Sequence, residues 1–193
     1  MKKIIIFVTL TGLLLGCTSI IYIKTRQLLF PERYRSVVYK IAAQYDLDPL
    51  LVAAVISAES SFKANALSVS DARGLMQIMP STSVDIAEDL GFSSFEISQL
   101  YEADINIEFG CYYLRKLYQI YQDTTLSLIA YNAGISNLNK WLHNHHSAQE
   151  LLESGIVFQE SKRYVKKITR NYKILCLLDK IESFAKYDRQ QNN

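Results

Sequence analysis

The sequence has little of what interrupts helices. Three Pro and seven Gly in 193 residues are too few for a loop-rich or collagen-like chain. No Pro-rich linker or internal repeat divides it, so its length fits one ordinary domain with an appendage. The three Cys include no C-x-x-C pair and no His/Cys spacing of the kind that holds zinc. Cys111 and Cys176 could bond only if their helices meet, and two separate buried thiols is the plainer expectation. The stretch HNHH at 143–146 lacks two His at i, i+4 and reads as a polar turn between helices rather than a ligand set.

Acidic residues are missing altogether from positions 1–26, which hold four Lys/Arg. Between Lys3 and Lys24 lies an uncharged run, Ile4 to Ile23, of 20 residues, enough to cross ~30 Å of hydrocarbon as a helix. A cleaved signal peptide has an apolar region of only ~7–15 residues, so the run is expected to be a retained signal anchor. The alternative is a lipoprotein signal in which LLGC at 14–17 acts as a lipobox and Cys17 carries lipid, although Leu15 is not the small residue usual there. Once this segment is set aside, residues 27–193 carry 17 basic against 19 acidic side chains. That balance makes nucleic acid a poor partner. The local exception is KRYVKKITRNYK, 162–173, with six basic residues in a helical pattern. A solvated helix face explains most such runs, and contact with an anionic polymer a minority.

The remainder reads as helix after helix. YRSVVYKIAAQY (34–45) has apolar positions at 37, 38, 41, 42 and 45, one buried face. Asp48 and Pro49 supply an N-cap followed by Pro at the first helical position, opening LLVAAVISAE, which is apolar nearly all round and expected at the centre of the bundle. Residues 62–80 have no sustained period and read as a loop, with a short hairpin around 63–73 as the one candidate for β structure. A helix from Pro80 toward Leu90 ends at Gly91. The next runs from Asp104, with 105, 109, 112, 113, 117 and 120 on its buried side. A further helix over 125–142 should break near Asn132 to Gly134, and a last one runs from about Glu160 to Tyr187, followed by a frayed tail.

Glu59 is out of place at the end of that apolar helix. A carboxyl flanked by Val55, Ile56 and Phe62 must face water, find a partner or have its pKa raised. In the last case it stays protonated near neutral pH, as a general acid must.

Five stretches then stand in order: ESSF (59–62), GLMQIMP (74–80), NIEFGCYYLRKL (106–117), AYNAG (130–134) and ESKRYVKKI (160–168). Together they resemble the soluble-type lytic transglycosylases over roughly residues 32–178. The resemblance implies an α fold, a lysozyme-like, mostly helical single domain related to goose-type lysozymes, behind an N-terminal transmembrane helix. The expected organisation is 1–26 anchor or lipoprotein signal, 27–185 catalytic domain and 186–193 tail. It implies cleavage of the β-1,4 bond between N-acetylmuramic acid and N-acetylglucosamine in peptidoglycan, leaving 1,6-anhydromuramoyl ends, with Glu59 as the single acid and base and no metal or cofactor. The substrate's own acetamido group would replace the second carboxylate that ordinary glycosidases need.

Carried over by motif position, Tyr164 would hydrogen-bond the Glu59 carboxyl. Ser68 and Ser70 would hold the N-acetyl group, Gln77 and Met79 would line the cleft, and Tyr131 and Asn132 would form a sugar-facing wall. The sequence departs from the family pattern at Asp71 (often Gly), Ala103 (often Pro), Ile135 and Ser136 (often Pro-Gly) and Ser161 (usually Thr), all at turns and caps. The partners implied are glycan strands of peptidoglycan and, through the anchor, the cytoplasmic membrane, with the domain on its outer side and an envelope-machine partner left open. Two rival readings are a hydrolytic muramidase on the same fold and a non-catalytic wall-binding component.

Overall fold

The computed structural model describes residues 2–143, 147–153, 155, 157 and 159–191. Three of the four HNHH positions, 144–146, lie outside the described residues, and so do the last two of the tail. The described elements are α1 (Lys2–Leu29), α2 (Glu32–Gln44), α3 (Pro49–Glu59), α4 (Pro80–Asp89), a 3-10 turn (Ile97–Tyr101), α5 (Ala103–Tyr121), α6 (Thr124–Ala133), α7 (Ile135–Leu142), α8 (Ala148–Glu153) and α9 (Gln159–Gln191).

α3 is the central helix, as its all-round apolar character requires. Val52 through Ser57 are all buried, and its main packing partner is α9. Asp48 uses both carboxylate oxygens: Oδ1 caps α3 by accepting from the Leu50 N–H at 2.8 Å, and Oδ2 accepts from the Tyr172 hydroxyl of α9 at 2.5 Å. One residue thus satisfies an orphan amide and sets where α9 crosses the start of α3. Further along α3, the neighbouring residue of α9, buried Asn171, donates to the Ser57 hydroxyl at 3.2 Å.

Several expectations are corrected. The hairpin around 63–73 reduces to isolated bridges, Leu67 with Arg73 and Arg73 with Ile78, because the loop is held by turns and side chains rather than by a ladder. On α5 the expected face holds except at its end, since Phe109 and Leu117 are buried and Ile105, Tyr112 and Tyr113 pack against the core. Asn106, Ile107, Phe109, Gly110, Cys111, Leu114 and Leu117 are its buried residues, and Ile120 is exposed. The contact with the loop is made at Gly110: a Cβ there would sit 2.2 Å from the Met76 sulfur, so the helix turns its thinnest side to the loop. α9 continues as helix through Gln191, past the tail expected from 186, since KYDRQQ contains no Gly or Pro to stop it. Cys111 is buried, Cys176 half-buried, and both are free.

The link after the apolar run is part of the domain. Leu29 and Phe30 are buried, and Phe30 stacks on Phe62 with ring centroids 6.0 Å apart. Arg26 reaches Glu182 of α9 at 2.9 Å, and the Tyr22 hydroxyl donates to the Leu178 carbonyl at 3.4 Å. Among the described residues no single helix is long and apolar enough to cross a membrane; Leu10–Leu29 taken with Glu32–Gln44, bent by 51°, passes by length and composition.

α5 begins at Ala103, where the resembling sequences often have Pro. The preceding Glu102 is extended (φ −78°, ψ 126°), a conformation compatible with a following Pro. Ala103→Pro is therefore expected to stabilise the fold by about 0.4–1 kcal/mol, chiefly by restricting the unfolded chain. Urea unfolding would show it as a higher midpoint at unchanged slope.

Candidate active site

Glu59 is the last residue of α3, and the chain turns sharply after it. Ser60 closes the helix by donating its N–H to the Ile56 carbonyl. Ser61 and Phe62 then both adopt left-handed conformations, φ 52° and 60°, which cost non-Gly residues roughly 1–2 kcal/mol each. Burial of the Phe62 ring, 2 % exposed and stacked on Phe30 and Tyr34, holds the turn closed. The aromatic of ESSF is thus the anchor that aims the glutamate.

Burial pushes the Glu59 pKa up to about 7, against the pull of the Tyr164 hydrogen bond and the Lys167 charge. The Tyr164 hydroxyl donates to Glu59 Oε1 at 2.6 Å, across 105 residues of sequence. Tyr164 is itself held well above its ordinary pKa by burial and by the Glu59 charge, so it acts here only as a donor. Lys167, one turn on, donates to the Ala58 carbonyl at 2.7 Å. Tyr131 lies close enough for the Glu59 charge to raise its pKa as well.

The GLMQIMP turn is tied to the AYNAG helix. Tyr131 donates its hydroxyl to the Met76 carbonyl at 2.9 Å, which joins the AYNAG helix to that turn. Gln77 is left-handed (φ 52°), and its amide nitrogen donates to the carbonyls of Gly74 at 2.9 Å and Ala66 at 3.3 Å. Its amide therefore shapes the loop. Met76 is fully buried and Met79 is 38 % exposed, which separates the two methionines into core and surface. Asn132 accepts from the buried Ser161 hydroxyl at 2.7 Å, so a position noted only as a departure from Thr fixes the orientation of the Asn132 amide. Ser68 accepts from the Ala72 N–H at 2.9 Å and Ser70 is exposed; among the described residues no hydrogen bond joins either to Glu59. Asp71 has φ 67°, the conformation that favours the Gly often found there, and it pairs with Arg73 at 2.9 Å.

Asn106 is the residue that sequence reasoning missed. Fully buried, it accepts from the Met76 N–H at 2.6 Å and donates to the carbonyls of Arg73 at 2.9 Å and Leu100 at 2.8 Å. It fastens the GLMQIMP turn to α5. Gly74 (φ +78°) passes so close that a Cβ would lie 2.1 Å from the Leu100 oxygen. The available signal was the pairing of Asn106 with Gly110, one turn apart, inside an otherwise apolar and aromatic helix. Among the described residues no group of His, Cys, Asp or Glu could hold a metal ion.

Residues 36–152 match the family described as the transglycosylase SLT domain. The chain belongs to this family. It is 31% identical over 144 residues to the soluble lytic murein transglycosylase of Salmonella typhimurium, covering 72% of this chain and 22% of that protein. To the membrane-bound lytic murein transglycosylase C of Yersinia pestis it is 30% identical over 168 residues, covering 74% and 47%. Its structure is similar to that of an inactive glutamate-to-glutamine mutant of the lytic transglycosylase Slt from Pseudomonas aeruginosa, with TM-score 0.71 and 27% identity, covering 78% of this chain and 25% of that one. The chain spans less than half the length of these relatives. The SLT family match begins in α2 and ends in α8. Tyr164 falls beyond the matched segment, and α9 returns it to Glu59.

If Tyr164 tunes Glu59, its loss has a defined sign. The hydrogen bond favours the carboxylate and lowers its pKa, so Tyr164→Phe is expected to raise that pKa. The alkaline limb of the pH–rate profile should move upward while the maximal rate falls by roughly 10-fold or more. A lower rate with an unmoved limb would make Tyr164 a packing residue only.

Proposed function

We propose that this SLT-family chain is a peptidoglycan lytic transglycosylase that cleaves the N-acetylmuramic acid β-1,4 N-acetylglucosamine bond with Glu59 as its one acid and base. The observation that carries the reading is the Glu59 carboxyl, raised to about 7 by burial and bonded at 2.6 Å by Tyr164. At neutral pH such a group is partly protonated and can donate to the glycosidic oxygen. The acetamido oxygen of the substrate then stabilises the cationic sugar, a substrate-assisted course that needs no second carboxylate. Glu59, now ionised, takes the proton of the C6 hydroxyl as that oxygen attacks C1. A tethered hydroxyl outcompetes water through its effective molarity. Tyr164 holds the ionised form in place between the two steps. Ser68 and Ser70 receive the N-acetyl group, Gln77 and Met79 line the cleft, and Tyr131 and Asn132 form the sugar-facing wall.

The same reading places the domain outside the cytoplasmic membrane, where peptidoglycan lies. The apolar run of α1 supports a single-pass anchor over 1–26, with 27–185 as the catalytic part, and a relative named as membrane-bound is in keeping with it. The alternative attachment is lipid on Cys17, which is exposed.

Mass spectrometry of muropeptides released from purified peptidoglycan tests the activity. Anhydromuramoyl ends are expected; reducing ends would convert the reading to a hydrolytic muramidase, and no release would favour the wall-binding reading.

A further inference from the structure

The basic run of α9 sends one of its six cations to the helix that carries Glu59. Of Lys162, Arg163, Lys166, Lys167, Arg170 and Lys173, it is Lys167 that reaches across to α3 and donates to the Ala58 carbonyl at 2.7 Å. The bond fills a gap made by the turn. In a continuing helix that carbonyl would accept from the N–H of residue 62, but Ser61 and Phe62 are left-handed and the chain leaves the helix. Ser60 returns its N–H and its hydroxyl to the Ile56 carbonyl, and the Ser61 hydroxyl returns to Ser57 at 3.4 Å. Neither serves Ala58, and among the described residues the Lys167 ammonium is the only hydrogen-bond donor to its carbonyl.

A neutral donor would satisfy the carbonyl equally well; the ammonium also brings a charge. The polar groups that act on the Glu59 carboxyl are Tyr164, Lys167 and Glu160 of α9 and, from α6, the Tyr131 phenol. Burial raises the Glu59 pKa, the Tyr164 hydrogen bond and then the Lys167 charge lower it, and the Glu160 charge raises it by less. Lys167 is thus the one full positive charge acting on the carboxyl among the described residues, at a helix C-terminus whose dipole disfavours an anion. An acid that burial keeps protonated gives up its proton readily only if the anion left behind is stabilised. We propose that Lys167 is the positioning residue of Glu59: it ties the last turn of α3 to α9 through Ala58 and sets a positive charge near the carboxylate that forms as the proton passes to the glycosidic oxygen. The Glu59 O–H bond breaks as the leaving oxygen gains its hydrogen, and the carboxylate is neutralised again when the C6 hydroxyl gives up its proton; Lys167 keeps its own throughout. The inference rests on the reading of Glu59 as acid and base.

The test compares full-length wild type with Lys167→Met, which removes donor and charge, and Lys167→Arg, which keeps both. Glu59 is titrated by carbon NMR at low and at high salt with no substrate present, and kcat and KM are taken from muropeptide release. Lys167 is exposed, so salt screens its charge. In the wild type added salt is expected to raise the Glu59 midpoint, because the pull of Lys167 outweighs the push of Glu160. In Lys167→Met only the push is left, and added salt should lower it. At low salt Lys167→Met should titrate above the wild type, with kcat lower by roughly 5-fold or more and KM within about 2-fold, and Lys167→Arg should restore both the midpoint and kcat. A wild-type midpoint and salt response in Lys167→Met overturns the inference, and so does a wild-type kcat there. A fall in kcat that Lys167→Arg does not restore, with the midpoint unmoved, would make Lys167 a packing residue. Wild-type protein that releases no muropeptide fails the reading of the activity instead, and the sign of the salt response still decides whether Lys167 acts on Glu59.

Discussion

Glu59→Gln is expected to lose at least about 10³-fold in muropeptide release, because a positioned general acid contributes roughly 10²–10⁴-fold and here one residue serves as both acid and base. The same substitution should make the protein more stable above neutral pH. The folded pKa, about 7, lies above the ordinary value of 4.5, so between those values the folded state holds more protons than the unfolded one and stability falls as pH rises. The stability that comes from burying the neutral acid is fully present below about 4.5 and lost as pH rises through about 7. Each tenfold change in proton affinity between the folded and unfolded chain is worth about 1.4 kcal/mol, so the loss from 4.5 to about 7 is on the order of 3–3.5 kcal/mol. Gln carries no charge to bury and can still accept from Tyr164. Thermal unfolding should therefore show Glu59→Gln melting above the wild type at pH 8 and close to it at pH 4. Equal melting at both pH values, with activity lost, would leave Glu59 catalytic but remove the apolar environment as the reason.

The second large effect is expected at a residue that touches no sugar. Asn106→Ala removes the acceptor of Met76 N–H and the donors to the Arg73 and Leu100 carbonyls; Arg73 C=O keeps the Ile78 N–H, which leaves two buried groups, Met76 N–H and Leu100 C=O, without the partner Asn106 gave them. Each unsatisfied buried group costs about 1–3 kcal/mol, so a loss on the order of 4 kcal/mol is expected in urea unfolding. At temperatures where the variant stays folded, the GLMQIMP turn should loosen. Gln77 and Met79 would then move relative to Glu59, raising KM as well as lowering kcat. A destabilised variant with wild-type kinetics would confine Asn106 to folding alone.

What was legible in the sequence follows from how local each signal is. The start of α3 could be read because Asp48-Pro49 carries its cap and first turn in two adjacent residues, and the break at Gly134 because Gly interrupts an otherwise steady period. Glu59 could be singled out because a carboxylate at the end of an apolar run demands an explanation wherever it folds. The Tyr164 contact could not be read from periodicity, since one of 13 tyrosines gains its meaning only when α9 packs antiparallel to α3; the family resemblance supplied it. On α5 the buried side was legible at Phe109 and Leu117 but not at Asn106 and Gly110, because large apolar residues, the exposed Ile120 among them, were weighted over small ones. The actual contact is made where Gly110 lets Met76 approach. Phe30, just past the apolar run, is core because its ring completes the stack that closes the turn after Glu59.

The central claim is that the fold keeps Glu59 protonated up to neutral pH, and its most direct test is titration of that carboxyl. Carbon NMR of full-length protein labelled at glutamate Cδ, with the signal assigned by its absence in Glu59→Gln, would follow it from pH 3 to 9. A midpoint near 7 is predicted; a midpoint near 4.5, the ordinary value for a solvated glutamate, would contradict it.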